Sequence, residues 1–378
     1  MIYFDNAATT KVCDEAANKA LEIMTQHYGN PSSVHDFGYN AEKILKESRK
    51  KILSHIGSTN RNDDLIFTSG GTESNNIAIF GALSSTKHVG KKVFFSDSEH
   101  ASVYNISREL SKRGYDVKYI PTHGGKIDLD FCERSFSADT ALISFMFANN
   151  ETGALYDIKA LNALRKKLCP KALLHTDAVQ AFGKISSPVA SCGADLISVS
   201  GHKVHAPKGT GALYIRDGVR IPGILFGGGQ EKDIRPGTEA LPLIAAFSIA
   251  CDKTLSASNI STVEKLRRHL IEQITEKTPP VTVNIPQAYV PHVVSLTLPS
   301  IKSEVMLRYL SAKDIYVSAG SACTSKHREN RVLAAFGLDT KSADYTIRIS
   351  FCEYNTFDEV DTFVSVLSDG IHSLVSTR

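Results

Sequence analysis

Two polar side chains follow apolar runs typical of buried strands. Asp177 directly follows the run 173–176, and Lys203 comes shortly after the run 196–200. Ligands of open α/β sheets bind at the carboxyl ends of strands, which is where both side chains would lie. Taken singly, an aspartate at a strand end is most often a solvated turn residue and a lysine a surface residue. The functional alternative for Lys203 is an amine kept reactive by partial desolvation.

A third strand end carries glycines. In residues 68–76 a strand ends at Thr68, Gly70 and Gly71 follow, and a helix begins near Thr72. Glycines let backbone N–H groups approach a ligand, and a helix N-terminus favours an anion. Taken alone, this segment is more simply explained as an ordinary strand-to-helix turn capped by Thr72. The spacing matches neither the dinucleotide fingerprint nor the Walker motif, so no nucleotide is specifically indicated.

Cys323 lies within a run of small residues, 319–325, that has no hydrophobic periodicity to bury it. Such a setting predicts an accessible thiol, whereas inert packing explains the other six cysteines. The cysteine count of seven is odd, and no C-x-x-C is present. This argues against a disulfide framework or a zinc knuckle, and it favours a reducing, cytoplasmic compartment without a metal site.

Arg348 lies between two apolar positions of an alternating strand-like run, 345–350. It is either the partner in a structural ion pair or a bidentate clamp for a carboxylate. A phosphate cradle, an amine, an acid and an arginine together suggest pyridoxal phosphate acting on an amino acid. His100, just after the predicted strand 93–96, is a candidate for stacking on the cofactor ring, although taken alone it is more simply explained as a solvated loop histidine.

Composition narrows the class of partner. The 43 basic and 40 acidic side chains leave a net charge of +3, too weak to indicate a nucleic acid or an anionic membrane surface as a partner. The longest apolar-rich uncharged stretch, 240–251, is shorter than the roughly 18 residues of a membrane span. The first residues have no basic and apolar pattern of a secretory signal.

The predicted elements make the chain α/β with two units. Strands are predicted at 65–68, 93–96, 117–120, 141–147, 173–176, 196–200 and 212–215, with helices at 73–83, 101–112 and 157–168 between them. A second, α+β unit is predicted to contain a long helix (244–276), a loop-like linker (277–286), a helix at 303–312 and strands at 293–298, 315–318 and 345–351.

In order along nearly the whole chain, the motifs resemble those of cysteine desulfurases of the NifS/IscS-like kind, which are class V, fold type I pyridoxal phosphate enzymes. The matching segments are 3–10, 29–35, 68–76, 99–100, 149–153, 175–180, 200–209, 227–230, 237–239, 320–323 and 348–350. The resemblance implies a large, mostly parallel mixed-sheet domain at 15–246. It also implies a smaller α+β domain, formed by 1–14 and 247–378, that carries the cysteine and the arginine.

The resemblance also implies a role for each matched residue. Lys203 would hold pyridoxal 5'-phosphate covalently and shuttle protons, while Asp177 pairs with the pyridinium nitrogen. Gln180 would bond the ring hydroxyl, and His100 would stack on the ring and serve as acid or base. The phosphate would be held by Gly71, Thr72, Ser200 and His202, joined by Thr238 from the second subunit of a homodimer.

For the substrate, the resemblance implies that Asn150 and Arg348 hold the carboxylate of L-cysteine. The Cys323 thiolate would take the sulfur as a persulfide, leaving L-alanine, and pass it to an acceptor protein such as an iron–sulfur scaffold. Two enzymatic alternatives are a selenocysteine lyase and a class V aminotransferase, and a third alternative is a non-catalytic sulfur-transfer scaffold. The chain departs from the family at Pro236, at Ala240, where an asparagine is usual, and in the charged run 324–332 after Cys323.

Overall fold

The computed structural model describes residues 1–278, 280–320 and 330–375. Cys323, the expected nucleophile, lies outside the described residues. In the part that is described, no helix is both long enough and apolar enough to cross a membrane.

The first part of the chain builds a large sheet. It begins with β1 (Ile2–Tyr3), α1 (Asp14–Gln26) and α2 (Asp36–Ile56), followed by β2 (Asp64–Thr68), α3 (Gly71–Ser85), β3 (Lys92–Ser96), α4 (Ala101–Lys112), β4 (Asp116–Ile120), α5 (Leu129–Ser135), β5 (Thr140–Ser144), α6 (Ile158–Leu168), β6 (Leu173–Asp177), β7 (Leu196–Ser200) and β8 (Gly211–Ile215). The described strands of this sheet run in the order β2-β8-β7-β6-β5-β3-β4. Only β8 is antiparallel to its neighbours, so the predicted mostly parallel mixed sheet is confirmed.

Burial on both faces explains why these strands read as continuous apolar runs. Every residue of β5, β7 and β8 is buried, because helices cover the sheet from both sides. Helix α3 is apolar around most of its circumference and packs against the centre of the sheet. The N-termini of α4, α5 and α6 are capped by the side chains of His100, Asp128 and Asp157.

The second part is α+β, as predicted. It contains α7 (Leu241–Thr254), α8 (Ala257–Lys277), β9 (Thr282–Asn284), β10 (Val293–Thr297), α9 (Ser303–Ser311), β11 (Ile315–Tyr316), β12 (Ser318–Ala319), α10 (Arg331–Phe336), α11 (Thr340–Asp344), β13 (Thr346–Ser350) and α12 (Phe357–Val375). An antiparallel sheet runs β12-β13-β10-β9, and β1 pairs in parallel with β11. Phe4 packs edge-on against Phe351 and Phe363 in the core of this part.

Three predicted elements were wrong in extent. The long helix 244–276 is two helices, because Ser256 caps α8 by accepting from the Asn259 N–H at 3.2 Å. The expected linker 277–286 contains β9, and the run 315–318 is divided between β11 and β12, which belong to different sheets. Helix α7 as a whole belongs to the core of the large sheet, and the predicted boundary at residue 246 stays a prediction.

The N-terminal segment 5–13 joins the two parts and passes over the end of the large sheet. The Ala7 N–H donates to Ser350 Oγ of β13 at 2.8 Å, and the Thr10 N–H donates to the His202 carbonyl at 3.0 Å. This segment therefore brings backbone carbonyls from the first ten residues next to the end of β7.

Candidate active site

Lys203 and Asp177 lie at the ends of neighbouring parallel strands, as predicted. β6 ends at Asp177, and β7 ends at Ser200, followed by a tight helical turn, Gly201–Lys203. Lys203 Nζ donates to the carbonyl oxygens of Ala7 at 2.7 Å and Ala8 at 2.6 Å. The N-terminal segment therefore holds the amine at the sheet edge where Asp177 ends its strand.

The surroundings of the Lys203 amine lower its pKa and so favour its neutral form. Burial, aided by the Arg348 guanidinium and opposed by Asp5 and Asp177, lowers the pKa of Lys203 to about 8. A lysine with an ordinary pKa near 10.5 is almost fully charged at neutral pH and is a poor nucleophile. The site thus supplies a nucleophilic amine slightly above neutral pH.

The Asp177 carboxylate is buried and held at both oxygens. Oδ2 accepts from Asn75 Nδ2 at 2.8 Å, and Oδ1 accepts from the Val179 N–H at 3.0 Å. Asn75 also donates to Ser102 Oγ at 2.9 Å, which fixes its amide. Sequence reasoning missed Asn75, although its place one helical turn after Gly71 in α3 was a usable signal. Two hydrogen bonds orient this carboxylate as a fixed negative charge for a ring nitrogen.

Gln180 lies beside Lys203 and shares an acceptor with it. Its Nε2 donates to the Ala7 carbonyl at 2.9 Å, the same oxygen that receives the Lys203 amine. Its Oε1 lies 2.9 Å from His292 Nε2. The structure therefore brings Gln180, Lys203 and Asp177 to one place, and it adds His292, which sequence reasoning did not identify.

The expected phosphate cradle lies at the start of α3. Gly70 precedes the helix with φ 154° and ψ −178°, a conformation that glycine adopts readily. A Cβ on Gly71 would come within 2.7 Å of Val179 Cγ2, so the close approach depends on glycine. Ser200 Oγ is buried near these glycines and has no hydrogen-bond partner among the described residues. Because a buried hydroxyl normally has a partner, this orphan fits an anion that completes the cradle.

The other expected phosphate residues differ in their surroundings. Thr72, the second residue of α3, is exposed, and Thr238 is exposed on the surface of the single chain. His202 Nδ1 lies 3.2 Å from Thr9 Oγ1, and burial, aided by Lys203 and Lys208, lowers the pKa of His202 to about 4. His202 is therefore neutral near pH 7 and can act as a hydrogen-bond donor rather than as a cation.

His100 caps α4 at the edge of the site. Its Nδ1 accepts from the Ser102 N–H at 3.2 Å and lies 2.8 Å from Ser102 Oγ. Part of the ring faces solvent, yet the surrounding protein desolvates it enough to lower its pKa; Lys203 acts in the same direction, while Asp177 and Glu151 oppose it. The imidazole is therefore favoured in its neutral form, which suits a residue expected to stack on a ring and exchange a proton.

Arg348 is the partner in an ion pair. Its Nη2 lies 2.7 Å from Asp5 Oδ1, and its Nη1 donates to the Asn150 carbonyl at 2.8 Å. The Arg348 Nε and the Asn150 Oδ1 are both buried without a hydrogen-bond partner in the described part of the chain. The structure thus shows the ion-pair alternative. The unpaired Nε–H of Arg348 leaves a donor for a carboxylate ligand, whereas the Asn150 Oδ1 can only accept a hydrogen bond.

Sequence reasoning missed a buried acid next to His100. Glu99 Oε1 accepts from Ser96 Oγ and from the Met146 N–H, each at 2.8 Å. Burial, with a smaller contribution from Asp177, raises the pKa of Glu99 to about 8. Arg331 donates to the backbone carbonyls of Asp97 and Glu99. Glu99 is therefore mostly protonated at neutral pH and supports the strand end from which His100 emerges.

A second polar cluster lies between the two sheets. His205, Cys352 and Glu353 have potential metal-ligand atoms within 4.8 Å of one another, the one such group among residues 1–278, 280–320 and 330–375. His205 Nε2 lies 3.4 Å from Glu353 Oε2, and the Lys184 amine acts electrostatically on both Glu353 and Cys352. The His205 imidazole and the Lys184 amine are the neighbours of this carboxylate, so we assign no metal to the cluster.

The cysteines outside 321–329 agree with the packing interpretation. Cys13, Cys132, Cys169, Cys192, Cys251 and Cys352 are all free and buried. Burial is the first cause that raises the pKa of each of these thiols, for example to about 12 for Cys132 and to about 11 for Cys169. A buried thiol with a raised pKa is a poor nucleophile, so none of the six competes with Cys323 for the expected role.

Comparison with known proteins agrees with this geometry. Residues 2–363 match the family described as aminotransferase class-V. The cysteine desulfurase IscS 1 of Archaeoglobus fulgidus is 37% identical over 380 residues, covering 100% of this chain and 98% of that protein. A solved NifS-like protein superposes with a TM-score of 0.90 at 33% identity and covers 100% of both chains. The solved structure titled SspA in complex with cysteine has a TM-score of 0.81 at 30% identity, covering 94% of this chain and 100% of that one.

Proposed function

The chain belongs to the aminotransferase class-V family and, within it, to the cysteine desulfurases, and we propose that it converts L-cysteine to L-alanine with pyridoxal 5'-phosphate bound at Lys203. The observation that carries this proposal is the Lys203 amine, with its pKa lowered to about 8, beside the oriented Asp177 carboxylate at adjacent strand ends. Fold type I cofactor sites need this amine and this acid together.

The residues of the site fit the cofactor. Asp177 would pair with the protonated ring nitrogen, Gln180 would donate to the ring hydroxyl, and His100 would lie on the ring face. The orphaned hydroxyl of Ser200 supports a phosphate at the start of α3, beside Gly71 and Thr72, with His202 as a further donor. When bound, pyridoxal phosphate supplies an electron sink for the electron pair left after the α-proton is removed.

The chain's own residues account for binding and proton movement. Arg348 and Asn150 would bind the cysteine carboxylate, and Lys203 Nζ would take the α-proton. The Cys323 thiolate would attack the substrate sulfur, so that the carbon–sulfur bond breaks and a sulfur–sulfur bond forms. The electron pair of the broken carbon–sulfur bond stays with the carbon product, which takes up the proton of the substrate thiol and regains the α-proton from Lys203. This gives alanine and a Cys323 persulfide with no external oxidant. His100 would serve as the acid or base for the sulfur groups.

We propose that two chains form a homodimer in which Thr238 of each chain completes the cofactor site of the other. Thr238 is exposed on the single chain and would reach the phosphate of the other subunit. Val34 and Phe226 are fully exposed, and the exposed Tyr28 packs edge-on against Phe37 with ring centroids 5.0 Å apart. A contact between two chains would cover such large apolar side chains.

The persulfide formed on Cys323 would pass to a cytoplasmic acceptor protein, for which an iron–sulfur scaffold is our candidate.

The proposal is tested by measuring alanine and sulfide released from L-cysteine in the presence of a reducing thiol. We expect Cys323→Ala to lose this activity while keeping the visible cofactor band, and Lys203→Ala to lose the band itself. Cys352→Ala, which removes a buried thiol, is the matched control and should remain active. Normal desulfuration by Cys323→Ala would exclude the proposed nucleophile, and keto-acid-dependent amino transfer would favour an aminotransferase instead.

A further inference from the structure

His292 is a buried imidazole that the proposed chemistry does not use. It lies just before β10 in the second part of the chain and is only 1% exposed. Its Nε2 approaches Gln180 Oε1 at 2.9 Å, across 112 positions of sequence. The contact therefore links the start of β10 in the small sheet directly to Gln180, which lies three residues after the end of β6 at Asp177.

The surrounding hydrogen bonds determine which atom of this contact donates. The Ala7 carbonyl can only accept, so the group of Gln180 that faces it at 2.9 Å must be the amide nitrogen. The other end of the amide, Oε1, consequently faces His292 and can only accept. His292 must therefore carry a proton on Nε2, an assignment that follows from the network alone.

The second ring nitrogen completes the assignment. His292 Nδ1 is buried and has no hydrogen-bond partner among the residues described. Burial lowers the pKa of His292 well below its ordinary value, and Lys184, Arg348, Arg267 and Lys203 lower it further. The ring is thus neutral, with its single proton on Nε2 and an unshared electron pair on Nδ1.

We propose that His292 is a positioning residue that holds the Gln180 amide with its nitrogen towards the cofactor site. The proposal rests on the proposed function, in which Gln180 donates to the ring hydroxyl. The Gln180 nitrogen has two N–H groups, and the Ala7 carbonyl takes one of them. With its oxygen bonded to His292, the amide keeps its second N–H for the ring oxygen.

The physical consequence of losing His292 is rotation of this amide. His292 makes one of the two hydrogen bonds that fix this amide, so without a donor at Oε1 only the bond to the Ala7 carbonyl opposes its rotation. A half rotation of the Gln180 amide replaces an N–H with a carbonyl lone pair at the ring oxygen. A hydrogen bond from an amide to an oxygen that bears negative charge stabilises that charge. The charge on the ring oxygen is greatest when the nitrogen joining the cofactor to Lys203 is deprotonated, so losing the N–H makes that deprotonation harder.

The test is the pH titration of the visible absorbance of the bound cofactor in the holoenzyme. We expect His292→Leu to raise the midpoint by about 0.5–1 pH unit, as expected for the loss of one hydrogen bond to a charged form. Gln180→Leu should raise it similarly, and the double variant should show no additional shift, because both changes remove the same interaction. His292→Gln, which keeps an N–H donor near the position of Nε2, should restore the midpoint.

His175 provides a matched control. It is fully buried and bonds Ser144 Oγ and Ser198 Oγ at 2.8 and 3.0 Å, away from Gln180. His175→Leu should destabilise the fold without moving the midpoint. An unchanged midpoint in His292→Leu, together with a shift in Gln180→Leu, would overturn the proposal, and so would strictly additive shifts. Absence of any visible band in the unmutated protein would instead contradict the proposed function.

A second measurement needs neither a variant nor the cofactor. Nitrogen-15 NMR of the cofactor-free protein reports which ring nitrogen of His292 carries the proton. We expect the Nε2–H tautomer across the neutral pH range, and an Nδ1–H tautomer would overturn the assignment. This result decides the inference even where His292→Leu does not fold.

Discussion

The carboxylate of Asp5 lies 2.7 Å from Nη2 of Arg348, and it joins the N-terminal segment to the middle of β13. The two residues are 343 positions apart in sequence. The Arg348 side chain is 8% exposed and the Asp5 side chain 22% exposed, so water screens their charges only partly. The pair orients the guanidinium before any substrate carboxylate arrives.

Asp5→Asn should destabilise the protein because it leaves the buried Arg348 without its ion partner. We expect the free energy of unfolding to fall by about 1–3 kcal/mol, less than for a fully buried pair because Asp5 is partly exposed. Urea unfolding of the cofactor-free protein measures this change. Glu276→Gln, which alters an exposed carboxylate, is the control and should have almost no effect. A loss no larger than that of the control would show that Arg348 does not depend on Asp5.

The lowered pKa of Lys203 predicts a pH-dependent stability of the cofactor-free protein. Its folded-state pKa is about 8, against an ordinary lysine pKa of 10.5, so the unfolded chain binds the extra proton between these two values. The buried amine therefore lowers the free energy of unfolding by its full amount below pH 8, and this destabilisation disappears as the pH rises to about 10.5. Lys203→Met should be more stable than the unmodified chain by about 1–3 kcal/mol at pH 7, and the two should converge by pH 10.5.

Urea unfolding of both proteins across this pH range tests the prediction. The difference between the two proteins isolates Lys203 from other titrating groups. A difference that does not change with pH would mean that the amine has an ordinary pKa in the folded state.

Ser200→Ala should weaken cofactor binding without destabilising the cofactor-free protein. The Ser200 hydroxyl is buried and has no hydrogen-bond partner within the described ranges, so removing it should leave the stability of the cofactor-free protein unchanged or slightly higher. Affinity for pyridoxal phosphate should fall about tenfold, which corresponds to losing one charge-assisted hydrogen bond of about 1.4 kcal/mol. Fluorescence titration with the cofactor measures the affinity.

Ser198 is the matched control for Ser200, two residues away on the same strand. Its hydroxyl lies 3.0 Å from His175 Nε2, so Ser198→Ala should reduce stability while leaving cofactor affinity unchanged. If both variants lose stability and neither loses affinity, Ser200 does not contact the phosphate.

Glu99→Gln should stabilise the protein increasingly as the pH rises. Glu99 has a folded-state pKa of about 8, raised from 4.5, so between these values the folded state binds the extra proton. The unmodified protein therefore loses stability as the pH rises from 4.5 to 8, and the neutral glutamine removes that loss. The free energy of unfolding of Glu99→Gln, minus that of the unmodified protein, should be about 2–4 kcal/mol larger at pH 8 than at pH 5.

Thermal unfolding of the cofactor-free proteins between pH 5 and pH 8.5 checks this dependence on Glu99. The exposed Glu276→Gln should show no such trend. A constant difference between the unmodified protein and Glu99→Gln would show that Glu99 is ionised throughout.

Local patterns were sufficient to predict the large sheet and part of the site. Asp177 and Lys203 could be assigned to strand ends because buried strands are apolar runs, and the residue at which such a run stops is visible in the sequence. The start of α3 was predictable for the same reason, since glycines after a strand indicate a turn. The break between α7 and α8 was missed because Ser256 interrupts an otherwise continuous helical pattern without a glycine or proline.

The sequence by itself determined the family and the α/β class and predicted most residues of the proposed site, because strand periodicity, turn glycines and ordered motifs are local properties of the chain. Only the tertiary structure decided what each of those side chains contacts. Asn75 meets Asp177 across 102 positions, and His292 meets Gln180 across 112. Such contacts carry no local signal, because the packing of whole sheets and helices decides which distant side chains share a buried space.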